Sequence, residues 1–183
     1  MSERTPLLVL GLGNLLLEDD GVGAAAVALL LECYETPRGV RVLDGGTLGL
    51  SLLPYVEVAD AVILVDAVRT EEPPGSFVRL DGDDVPPAVV TRLSPHQVGV
   101  ADLLDGARWL GRYPDRLVLL GLVPASMELA VGLSPRVHAA LPQLVEHVVG
   151  EARTLGFLFR RKSTDEMPTA GRAVDVARLA GMW

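Results

Sequence analysis

Short apolar runs along this chain alternate with longer segments in which apolar residues recur at helical spacing. Leu7 to Asn14 (LLVLGLGN) reads as a buried parallel strand, and the alanine- and leucine-rich stretch from Gly21 to Glu35 as the helix after it. Val40 to Leu43 predicts a second strand closing on Asp44-Gly45-Gly46, with Thr47 placed to cap a helix running to about Ala59. Ala61 to Val65 is uniformly apolar, which predicts a central strand. Gly75 to Asp81 instead alternates Phe77, Arg79 and Asp81 with Val78 and Leu80, the pattern of a half-wet edge strand, expected to run antiparallel. After the break at Val85-Pro86-Pro87, a helix is expected from Ser94-Pro95-His96 to about Leu110, then a last strand over Leu117 to Val123. A long helix from Ser134 to about Leu155 carries Pro135 in its first turn and Pro142 inside, where a kink is expected.

Regular alternation of strand and helix predicts an α/β fold, a three-layer α/β/α sandwich around a twisted, mostly parallel sheet of about five strands. The expected organisation is one domain over residues 1–157 and a tail over 158–183. In that tail 160–172 reads as a flexible linker and 173–183 as a short amphipathic helix ending in Met182-Trp183.

Composition narrows the function. The 183 residues carry 24 acidic against 16 basic side chains, a net charge of −8, with one basic cluster at Arg160-Arg161-Lys162. That balance argues against a nucleic-acid surface. A single cysteine, Cys33, excludes an internal disulfide and a cysteine-rich zinc site, and its apolar neighbours place it in the core. The N-terminal apolar stretch is too short to cross a bilayer and precedes no small-residue cleavage site, so a cytoplasmic protein is expected.

Candidate chemistry gathers after the strands, where ligands collect in open α/β sheets. Asp20 follows the first strand, Asp66 ends the third, and His96 opens a helix. Gly11 and Gly13 suggest a dinucleotide turn, but the third glycine position is Leu16, and Glu18, Asp19 and Asp20 would repel a pyrophosphate. Asp19 or Asp20 could instead simply cap the helix near Gly21. Gly21 and Gly23 weaken a helix start and suit a close approach of backbone or another molecule. Asp66, after five apolar residues, would be costly unless paired, hydrogen-bonded or metal-bound. Asp44 has a comparable setting, although an Asp-Gly turn explains it too. His138 and His147 read as surface or helix-packing residues. No G-x-S-x-G or H-E-x-x-H motif occurs, which leaves two carboxylates and an imidazole, a set suited to a divalent metal with open positions.

The blocks GLGNLLLEDDGVG (11–23), LDGGTLG (43–49), ILVDAV (63–68), SPHQVGVADLL (94–104) and LVLLGLVPASMELAVGLSP (117–135) resemble the hydrogenase maturation endopeptidases, in order and over about residues 7–156. The resemblance implies an endopeptidase, often described as aspartic, that removes a short C-terminal peptide from the large-subunit precursor of a nickel-iron hydrogenase. It also implies nickel, carried by that precursor, as the metal; Asp20, Asp66 and His96 as its ligands; and Asp44 as a further aspartate needed for activity. Some relatives have Glu at Asp20, and the shorter side chain would leave room for a water. A monomer acting on the precursor, without nucleic acid or membrane insertion, is expected. Two roles for nickel stay open: Lewis acid, or a handle that orients the peptide while Asp44 serves as general base. The handle is preferred. The alternatives are a non-catalytic nickel-sensing chaperone for the same precursor, and a protease of this fold acting on another one.

Overall fold

The computed structural model describes residues 4–85 and 95–163, the side chains of 95–98 excepted. Its framework is a five-stranded sheet in the order β3-β1-β4-β6-β5, built from β1 (Thr5–Leu12), β3 (Val40–Gly46), β4 (Ala59–Ala67), β6 (Arg116–Leu122) and β5 (Phe77–Asp81). All neighbours run parallel except β5, which pairs antiparallel with β6 at the edge, as its alternating pattern predicts.

Two apolar layers sandwich the sheet. Leu7, Val9, Ile63, Val65, Val118 and Leu120 face α1 (Val22–Cys33) and the long helix α4 (Pro135–Thr154). Leu8, Leu10, Val62, Leu64 and Leu119 face the opposite way, toward the single turn α2 (Leu53–Val56) and α3 (Pro95–Trp109). Period-two alternation therefore sets which helix each strand residue meets. Nearly every one of these side chains is completely buried, so the sheet is held chiefly by aliphatic packing.

Glycine permits the tight fit at the top of α1. A Cβ on Gly23 would lie 2.2 Å from the carbonyl oxygens of Leu12 and Val65. The close approach expected near Gly21 and Gly23 is thus one of backbone to backbone, between α1 and the central strands.

Three local expectations need revision. Strand β1 stops at Leu12 rather than Asn14, because Gly13 turns the chain at φ +121°. The helix expected from Thr47 to Ala59 is a 3₁₀ turn (Gly49–Leu52) followed by the single turn α2; Gly49 at φ +51° delays its start, and β4 begins at Ala59. The chain at 158–162 is also still packed. Phe159 is buried beside Tyr34, and Arg160-Arg161 (β7) pairs antiparallel with Tyr34-Glu35 (β2). There the basic cluster is spent on structure: Arg160 pairs with Glu35, Arg161 lies 3.9 Å from Glu146, and Lys162 Nζ donates to the Leu31 carbonyl at 2.7 Å. The rest of the expected linker and the expected terminal helix lie outside the described residues.

Helix α4 continues through Pro142, which is exposed. His147 does pack between elements, its ring stacked on Phe77 at 3.7 Å. Cys33 is half-buried against the α1/α4 layer, and burial pushes its thiol pKa up.

Candidate functional site

The strand register brings the predicted acidic residues to one edge of the sheet. Gly11 in β1 pairs with Asp44 in β3 on one side and Val65 in β4 on the other, so Asp44 and Asp66 flank the end of β1 at nearly the same level. Beyond that end the chain makes a 3₁₀ turn, Glu18–Gly21, which packs on β4 and holds Asp20. Asp20 and Asp66 are fully buried, at 0% and 1% exposure. Asp20 Oδ2 accepts from the Asn14 backbone N–H at 2.8 Å, and Asp66 Oδ1 accepts from that of Ala67 at 2.7 Å. These bonds fix both carboxylates in place.

Helix α3 brings the imidazole's backbone to the same edge. Its residue Gly99 packs against Gly49, where a Cβ would stand 3.0 Å from the Gly49 Cα. His96 is thus three residues, nearly one turn, from a close backbone contact with the turn that follows Asp44. The His96 side chain lies outside the described residues. Among the described residues, no group of three His, Cys, Asp or Glu side chains could hold a metal ion.

Asp44 stands apart from the other two carboxylates. It continues the alternation of Val40 and Val42 toward the α1 layer, whereas Asp66 continues that of Val62 and Leu64 toward α3. With two strand spacings, about 10 Å, between their backbones, the side chains of Asp44 and Asp66 diverge, which does not suit a proton-sharing pair. Asp44 instead lines a cleft of about 340 Å³ with Gly13, Asn14, Leu15, Ala24, Gly45, Gly46, Thr47 and Leu48. Burial raises its pKa, opposed by the Gly46 N–H that donates to Oδ1 at 3.0 Å. Asn14 joins the two regions, since it lines this cleft while its N–H holds Asp20.

Neither Asp19 nor Asp20 caps α1, whose N-cap, Gly21, makes no side-chain bond. Asp19 is buried at 0% exposure and reaches across the molecule. It accepts from the backbone N–H groups of Ala125, Ser126 and Ser134 and from the Ser134 hydroxyl. The acidic triplet in the sequence does not disclose this role, because the partners lie more than 100 residues away.

A parallel sheet with buried carboxylates at its carboxyl edge defines an α/β protein whose site is made by the loops after β1, β3 and β4. Comparison with known proteins makes this specific. Residues 25–151 match the model of the hydrogenase maturation protease family, and the chain belongs to that family. It is 38% identical over 151 residues to the hydrogenase 2 maturation protease of Escherichia coli K12, covering 82% of this chain and 92% of that protein. It is 40% identical over 158 residues to the hydrogenase expression/formation protein HoxM of Azotobacter vinelandii, covering 80% and 76% respectively. The solved structure of the hydrogenase maturating endopeptidase HybD from E. coli superposes with a TM-score of 0.83 at 37% identity, over 86% of this chain and 98% of that one.

Proposed function

We propose that this chain is the endopeptidase that removes a short C-terminal peptide from the nickel-loaded large-subunit precursor of a nickel-iron hydrogenase. Asp20, Asp66 and His96 grip the nickel that the precursor brings, and Asp44 is the general base. The observation that supports the proposal is the full burial of two carboxylates, Asp20 in the turn that packs on β4 and Asp66 near the carboxyl end of β4, in a chain of this family. Two carboxylates beside a neutral imidazole suit a divalent first-row metal with positions left for the precursor's own ligands.

The geometry supports this division of labour. Asp44 lines a cleft at the same edge of the sheet, joined to the Asp20 turn by Asn14, which leaves it available to act on water while the metal ligands orient the peptide. Its raised pKa brings it closer to what a base at neutral pH requires. Nickel then serves as a handle and a checkpoint, since a precursor without it lacks the group that the three side chains recognise.

Asp44→Asn tests catalysis against chaperoning. The variant should bind the nickel-loaded precursor as well as the unchanged protein does, yet lose cleavage by about 10²-fold or more. Cleavage at the full rate would remove Asp44 as base. A chain that binds the precursor but never shortens it, with Asp44 intact, is the nickel-sensing chaperone instead.

A further inference from the structure

Resting on the site just proposed, we infer that Asp19 is a positioning residue: its buried carboxylate clamps segment 125–134 onto the turn that carries Asp20. It thereby fixes the metal ligand and the adjoining wall of the site as one unit. Oδ2 accepts from Ala125 N at 2.8 Å, Ser126 N at 3.2 Å and Ser134 Oγ at 2.8 Å, while Oδ1 accepts from Ser134 N at 2.7 Å. All four donors come from the connection between β6 and α4.

The backbone completes the tie. Asp19 N–H donates to the Ser126 carbonyl at 3.3 Å and Glu18 N–H to that of Ala130 at 2.9 Å, while Ala130 N–H donates to the Leu16 carbonyl at 3.1 Å. Between these bonds Glu18 is held at φ +45°, a conformation that non-glycine residues rarely adopt unless their surroundings enforce it. The clamp therefore imposes a shape on the turn two residues before Asp20.

Ser134 stands at the N-cap of α4, where its hydroxyl could cap its own helix, yet it makes no such bond and serves Asp19 instead. A buried carboxylate is a costly device for holding a surface loop. What it holds includes Leu129 and Val131, 83% and 53% exposed, beside Leu16 at 51%. These side chains gain little from folding, and they lie on the two segments that the clamp joins.

The isosteric change Asp19→Asn places an amide donor against backbone N–H groups, and Ser134→Ala removes one contact of the four. Hydrogen exchange and the kinetics of processing nickel-loaded precursor are read on both variants. Asp19→Asn should speed amide exchange about tenfold in both 125–134 and 16–21, and raise KM about tenfold with kcat changed far less. Ser134→Ala should move the same quantities in the same direction by a smaller factor, and keeps the test decisive if Asp19→Asn does not fold. Faster exchange confined to 125–134, or loosening of both segments with KM unchanged, overturns the inference. If the unchanged protein cleaves no precursor, the proposed function fails, while joint or separate loosening of the two segments still decides whether the clamp exists.

Discussion

Asp44 owes its chemistry to a balance between removal from water and one backbone N–H. Burial is the larger effect and raises its pKa from 3.8; the Gly46 N–H only partly restores the charged form. A carboxyl whose pKa is raised by folding favours the folded state in its neutral form, so that contribution is present at low pH and lost as pH rises through the raised pKa. Asp44→Asn should therefore melt above the unchanged protein at pH 7, with the gap closing toward pH 3. In the active protein the acid limb of the pH–rate profile should titrate above 3.8 for the same reason. A melting difference independent of pH would contradict this account of Asp44. At this scale the sequence was informative where a polar residue ends an apolar run, as with Asp66 after AVILV. It was uninformative for Asp19, whose neighbours Glu18 and Asp20 look alike until the fold brings Ser126 and Ser134 to it.

Elements place these residues through close contacts that only glycine allows. Helix α3 meets the turn after β3 at Gly99 and Gly49, and the first turn of that helix carries His96. In Gly99→Ala the added methyl must push the Gly49 backbone by a few tenths of an ångström. Overpacking costs about 1–3 kcal/mol, while Ala in place of Gly inside a helix returns up to about 1 kcal/mol. Stability should thus fall by only about 1 kcal/mol by urea denaturation, whereas processing should drop by about tenfold as the helix start moves away from the Asp66 edge. Equal, small losses in both would mean that the placement of α3 is not critical. The strands and the long helices were legible because each repeats its period several times. The two-residue strands β2 and β7 were not, since two residues establish no period, and the broken helix 49–56 reflects backbone angles at Gly49 that composition does not specify.

For the molecule as a whole, topology assigns different tasks to the two ends of the sheet. The loops after β1, β3 and β4 gather the candidate site at the carboxyl edge, while the β2–β7 pair follows the far end of α1 and ties the chain at Arg160–Lys162 to it. Truncation should separate these tasks. Removing 164–183 keeps the β2–β7 pair and the Arg160, Arg161 and Lys162 contacts described above, and should leave processing of the precursor within about twofold. Removing 158–183 also strips Phe159 from Tyr34 and should lower stability by about 3 kcal/mol. Loss of processing in the shorter truncation would assign the tail a part in engaging the precursor.

Recognition of nickel on the client by Asp20, Asp66 and His96 is the claim on which the rest depends. Purified protein should be incubated with nickel-loaded and nickel-free large-subunit precursor, and the intact masses of both precursors followed. A small loss from the C-terminus in the loaded sample alone is the predicted result. Equal shortening of both samples, or of neither, contradicts it.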